Sequence, residues 1–143
     1  MVMALFEKIL SFLALSKFKV KKIVLKQEVA KLIVSFAKRA APREFLAFLK
    51  GEIRNNTLFI SGLLYQPYRA SKGAASTLPT ITPQQSFIGS VHSHPRGSSK
   101  PSKADIIFFN KTGGIHLIVG APFSISTIKA YDYRGEEIPF IID

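Results

Sequence analysis

With 143 residues and 47% hydrophobic content, the chain has room for one domain with a real core and none for a second domain of similar size. Twenty Lys and Arg against nine Asp and Glu leave a net charge of +11, a balance suited to acidic proteins, anionic lipid or phosphates. The absence of cysteine excludes thiolate metal sites, thiol nucleophiles and disulfides, and leaves the redox compartment silent.

At the amino end, Leu5, Phe6, Ile9, Leu10, Phe12 and Leu13 form one apolar helix face, with Glu7, Lys8 and Ser11 opposite. Glu7 and Lys8 shorten the apolar run below the roughly 18 residues that a membrane span needs. The lysines follow the apolar stretch where a secretory signal has them in front, so export is disfavoured and a cytoplasmic location is expected. Residues 1–17 therefore read as an amphipathic helix preceding a domain of residues 18–143. That helix packs on its own domain, makes a homodimer through residues 1–16, or lies at a membrane surface; the first two rank above the third. Residues 1–43 hold ten basic residues against two acids, so most of the positive charge lies at this end. Such a face steers an acidic partner or is simply solvated. Nucleic acid is disfavoured, because the aromatics are mostly Phe inside apolar runs and offer no base-stacking platform.

Phe18–Leu25 alternates apolar and basic residues as a half-buried strand does. Val29, Leu32, Ile33 and Phe36 then recur at helical spacing, and Pro42 limits that helix. Strands are expected near 44–53, 57–66, 86–94, 114–120 and 126–133, with a helix after Ser102 that Gly113-Gly114 closes. Between Arg69 and Pro83 the composition turns small and polar, which predicts a loop. His116, among apolar neighbours, reads as a buried structural histidine.

The segment from His92 to Asp105 carries the chemistry. His92 and His94 sit two apart on a strand, so both rings point to one face and can grip one ion. Pro95 ends the strand, and Ser102 reads as the N-cap of a helix whose first turn contains Asp105. Two imidazoles and a carboxylate suit zinc, and three protein ligands leave a position open for water, as catalytic sites do. Read singly, each residue has a bland explanation: a hydrogen-bonded core histidine, a plain cap, a first-turn acid favoured by the helix dipole. No His-Glu-x-x-His helix is present, and the zinc-deaminase pattern fails for want of cysteines.

The order His-x-His-Pro, six residues, Ser-x-x-Asp resembles the signature of the JAMM/MPN+ metalloproteases without a mismatch. The resemblance, spanning roughly residues 18–140, implies a single α/β domain of the cytidine-deaminase-like MPN/JAMM type, a mostly antiparallel curved sheet flanked by helices. It implies one Zn2+ per chain, held by His92, His94 and Asp105. It also implies an upstream Glu before an apolar strand ending in Leu-x-Gly, which Glu44 in Glu44-Phe45-Leu46-Ala47-Phe48-Leu49-Lys50-Gly51 fits. Ala47 stands where the family often has Gly. Glu52 is the competing carboxylate, although Gly51 and the Asn55-Asn56 turn make it look like a solvated hairpin residue.

In the chemistry so implied, zinc acidifies a water, Glu44 takes its proton and returns it to the leaving amine, and Ser102 donates to the developing oxyanion. Residue spacing supports hydrolysis alone. The resemblance adds the substrate class, an isopeptide or peptide bond between the C-terminal Gly of a ubiquitin-like modifier and a lysine or amino terminus. The partners implied are thus ubiquitin-like modifier proteins and their conjugates. The 69–83 loop is either an ordinary surface connection or an edge that orders when an extended tail docks beside the metal. No large insertion is evident, so the chain looks like an archaeal or bacterial stand-alone member without linkage specificity. The alternative function is a non-catalytic MPN-type scaffold that works through its basic face, and the intact donor set argues against it.

Overall fold

In the computed structural model of the chain, residues 20–64 and 87–143 are described. The amphipathic helix expected at 1–17 lies outside these residues, as does the 69–83 loop. The elements run β1 (Lys22–Leu25), α1 (Gln27–Ala40), β2 (Leu46–Arg54), β3 (Thr57–Leu64), β4 (Phe87–His94), α2 (Lys103–Thr112), β5 (Ile115–Gly120), a 3-10 turn (Ile125–Thr127), β6 (Ile128–Tyr131), β7 (Glu137–Ile138) and β8 (Ile141–Ile142).

The strands form one sheet in the order β7-β6-β5-β4-β2-β3-β1-β8. The pairs β2–β3, β2–β4, β5–β6 and β6–β7 are antiparallel, so antiparallel pairing predominates. The pairs β1–β3, β1–β8 and β4–β5 are parallel. A parallel pair needs a crossover, and α2 provides it between β4 and β5. Where β4 enters that pair, Gly89 has φ 157°, and a Cβ there would lie 1.6 Å from the Ile115 carbonyl oxygen. No other residue type allows the two strands this approach.

The helices cover opposite faces. The larger core joins Val29, Ala30, Ile33 and Ala37 of α1 to Leu49, Leu58, Ile60, Val91, Leu117 and Val119 of the sheet. The smaller joins Phe109 of α2 to Ile118 and Tyr131. Alternation along β5 therefore sends Leu117 and Val119 toward α1 and Ile118 toward α2. Each fully buried Leu, Ile or Phe side chain contributes about 1.5–3 kcal/mol through water exclusion. Among the described residues, no helix is long and apolar enough to cross a membrane.

Several local expectations need correction. The stripe of α1 is rotated: Leu32, expected inside, is 45% exposed, while Ala30 and Ala37 are fully buried. The face that meets the sheet is that of Val29, Ala30, Ile33 and Ala37, and Leu32 lies off it. Of the strand expected over 18–25, the described part pairs from Lys22, and the strand expected from 44 pairs from Leu46. The segment expected as strand 126–133 begins as a 3-10 turn and pairs only from Ile128 to Tyr131. Finally, β7 and β8, two residues each, were not foreseen, being too short to show a period.

Candidate metal centre

The centre lies at the carboxyl end of β4, on the sheet face that α2 covers. His94 is the last residue of β4, and His92 lies two before it with the same facing. Their Nε2 atoms are 3.1 Å apart. The ring of His92 lies 6.2 Å from that of Phe109, so α2 backs it. The other ring nitrogen of His94, Nδ1, is 2.8 Å from the Ser98 carbonyl oxygen. A carbonyl can only accept, so Nδ1 carries a proton and Nε2 is the nitrogen whose lone pair a metal ion can take once the proton it shares with Asp105 is displaced.

Asp105 arrives from the other side of the crossover. Its Oδ1 lies 3.2 Å from His92 Nε2, and its Oδ2 lies 3.0 Å from His94 Nε2. What holds it there is helix capping. Ser102 N donates to Asp105 Oδ2 at 2.8 Å, and Asp105 N donates to Ser102 Oγ at 3.1 Å, a reciprocal capping box at the start of α2. Because the Ser102 oxygen accepts there, its hydroxyl proton is free to be donated elsewhere. The helix dipole favours a carboxylate in this first turn.

Loop 95–101 is tied down by Ser99. Its hydroxyl donates to the Thr127 carbonyl and accepts from Gly120 N at 3.0 Å, and its carbonyl accepts from Tyr131 OH at 2.5 Å. A Cβ at Gly120 would come within 2.8 Å of the Ser99 amide, so the loop presses directly on the end of β5. The anchored residue lies between His94 and the capping box in the chain. Nothing in the His/Ser/Asp spacing singles out Ser99 for this anchorage.

Burial favours the neutral form of Asp105, but hydrogen bonds from His92 and His94 outweigh it and hold the carboxyl well below the usual carboxylate range. His94 is raised above the ordinary histidine value, first by its hydrogen bond to Asp105; burial opposes this, and the Ser98 carbonyl and the charge of Glu44 add to it. These three residues form the one group among the described residues whose donor atoms, all within 4.8 Å of one another, can hold a metal ion. A tetrahedral zinc site with bonds near 2.0–2.1 Å has ligand-to-ligand edges of about 3.3 Å. Observed separations of 3.0–3.2 Å thus fit a single small divalent cation, and the two nitrogens and carboxylate oxygen are donors that zinc accepts.

Glu44 is exposed and immediately precedes the buried Phe45, and its charge reaches His94. Glu52 lies elsewhere: it is 61% exposed at the hairpin end of β2, 3.4 Å from Arg54. Its facing matches that of Glu44, since it pairs with Phe59 between the core residues Leu58 and Ile60, but it lies at the other end of the strand. His116 is fully buried, with Nδ1 2.7 Å from Ser90 Oγ and Nε2 2.7 Å from the Gly113 carbonyl oxygen. Its ring stacks on Phe109 at 4.1 Å. Burial lowers its pKa to about 3, so it is a neutral, hydrogen-bonded core residue that joins β4, β5 and the end of α2.

An α/β domain whose central parallel strand ends in two converging imidazoles, answered by a capping aspartate from the crossover helix, has the donor set of a metal site. Residues 26–133 match the family described as prokaryotic homologues of the JAB domain, and the chain belongs to that family. A "probable metalloprotease" from Haloferax volcanii is 31% identical over 108 residues, covering 66% of this chain. The match spans 63% of the length of that relative. Among solved structures, one described as "JAMM: a metalloprotease-like zinc site in the proteasome and signalosome" aligns at a TM-score of 0.63 and 27% identity, over 86% of this chain and 99% of that one. A JAB1/MPN domain protein from Archaeoglobus fulgidus aligns at 0.63 and 30%, over 82% and 96%. A protein from Desulfitobacterium hafniense shares the fold at 0.63 and 18%, over 85% and 92%.

Proposed function

We propose that the protein is a zinc metalloprotease of the JAMM type, an isopeptidase that hydrolyses the bond between the C-terminal Gly of a ubiquitin-like modifier and a substrate lysine or amino terminus. The observation that carries this reading is the convergence of His92 Nε2, His94 Nε2 and the Asp105 carboxylate, with the charge of Glu44 felt at the same centre. Family membership supports it.

His92, His94 and Asp105 would hold one zinc ion. When bound, zinc supplies Lewis acidity toward a carbonyl oxygen and makes water a stronger acid. Glu44 serves as general base, taking a proton from the attacking water and delivering it to the departing amine. Its exposure leaves it free to meet both. Ser102 directs its hydroxyl proton to the scissile carbonyl oxygen, where negative charge develops. The capping box leaves that proton unused. The Ser98 carbonyl keeps His94 in the tautomer that presents Nε2.

The test is incubation of the purified protein with a ubiquitin-like protein joined through its C-terminal glycine to a lysine-containing peptide, before and after chelation and with zinc restored. Release that stops on chelation and returns with zinc is expected. Equal release after metal removal would overturn the reading.

A further inference from the structure

Between the two histidines stands Ser93, whose side chain points to the opposite face of β4 and is fully buried. Its amide donates to the Phe45 carbonyl at 3.0 Å. Its hydroxyl oxygen accepts from the Phe45 amide at 2.8 Å. In the antiparallel ladder of β2 and β4, Leu46 faces His92, so Phe45 and Ser93 form the next pair outward, the kind that exchanges two hydrogen bonds. Continuing the ladder would send the Phe45 amide to the Ser93 carbonyl; it goes to the side chain. Regular pairing of β2 starts at Leu46, and the hydroxyl carries the connection one residue further.

That residue is the neighbour of Glu44. The Phe45 ring is buried and stacks on Phe36 of α1 at 5.5 Å, so position 45 is held by its ring on one side and by Ser93 on the other. Glu44, exposed, emerges directly from this clamp. We propose that Ser93 is a positioning residue: through the Phe45 peptide it fixes the backbone from which Glu44 reaches the centre, in register with the histidines on either side of it. The proposal rests on the assignment of Glu44 as the base under "Proposed function". It gives the middle position of His92-Ser93-His94 a job that alternation alone does not, because a small hydroxyl both fits a site without solvent access and accepts from an amide.

Hydrogen exchange of backbone amides in the metal-free full chain tests the restraint without any activity. The Phe45 amide should exchange within about tenfold of the Ala47 amide, which lies inside the ladder, and Ser93→Ala should speed it by about tenfold while Ala47 changes little. A Phe45 amide that exchanges at loop rates in the unaltered protein would overturn the proposal even if Ser93→Ala failed to fold; so would a Ser93→Ala protein with unchanged exchange. Turnover of the modifier–peptide conjugate tests the consequence. Ser93→Ala should lower kcat about tenfold to a hundredfold with little change in KM or bound zinc, and Ser93→Thr, which keeps the hydroxyl, should restore kcat. Loss of zinc in parallel with kcat would mean a general structural role and would overturn it. Should the unaltered protein fail to cleave the conjugate, the proposed function falls, while the exchange experiment still decides whether Ser93 holds Phe45.

Discussion

Asp105 Oδ2 receives the Ser102 amide at 2.8 Å and lies 3.0 Å from His94 Nε2, so a single carboxylate closes the helix cap and completes the candidate metal centre. The Ser102–Asp105 pair therefore ties the stability of the first turn of α2 to the geometry of the site. Ser102→Ala should cost about 1 kcal/mol in chemical denaturation. It should also lower kcat, since the hydroxyl proton is lost along with the cap. Ser102→Asp restores a capping oxygen and should recover stability without recovering turnover. Recovery of both would contradict the role of the hydroxyl as a donor.

Glu44 and Glu52 divide cleanly. Glu44→Gln should reduce turnover by a factor on the order of 10² to 10⁴ with zinc still bound, because no ligand is altered. Glu52→Gln should leave turnover near the unaltered value, its carboxylate being exposed beside Arg54 at the far end of β2. An inactive Glu52→Gln protein would reverse the assignment.

Metal binding should depend steeply on pH. The folded-state pKa of His94 is raised and that of Asp105 lowered, so protons compete with a cation for His94 and not for Asp105. Zinc affinity should fall as pH drops through the raised His94 value, about tenfold per unit for each proton displaced. In the metal-free protein, the raised His94 adds stability that is present below the unfolded value of 6.5 and lost as pH rises through its folded value. The lowered Asp105 adds stability present above its unfolded value of 3.8 and lost as pH falls through its folded value. The pair thus favours the metal-free fold on the acid side of neutrality. Zinc titrations and urea melts at a series of pH values check both signs.

His116 acts in the opposite sense. Buried and neutral with a pKa of about 3 against 6.5 when unfolded, it binds its proton first in the unfolded chain. Its contribution is present above 6.5 and lost as pH falls toward 3, by up to about 1.4 kcal/mol per pH unit. His116→Gln should cost about 1–3 kcal/mol at neutral pH, from the bonds to Ser90 and Gly113. The deficit should narrow toward pH 5, because the variant has no proton to gain. A deficit constant from pH 7 to 5 would show that His116 gains its proton in the fold as readily as in the unfolded chain.

Much of this architecture is legible in the chain because the residues concerned obey local rules. Alternation put His92 and His94 on one face, and capping chemistry put Asp105 one turn after Ser102. The Asn55-Asn56 turn is marked by two residues that tolerate positive φ, here 51° and 60°. What escaped reading depends on contacts between distant segments. The anchorage of Ser99 to Gly120, Thr127 and Tyr131 spans 21 to 32 residues, and the clamp of Ser93 on Phe45 spans 48. Leu32 departs from its expected place because a hydropathy stripe gives weight to large apolar residues, whereas the buried face here includes Ala30 and Ala37.

The most direct measurement is anomalous diffraction at the zinc edge from crystals grown with zinc. One peak is predicted, within bonding distance of His92 Nε2, His94 Nε2 and the Asp105 carboxylate, and absent from an Asp105→Ala crystal prepared in the same way. No peak among these three side chains, or zinc bound only at other surface groups, would contradict the account.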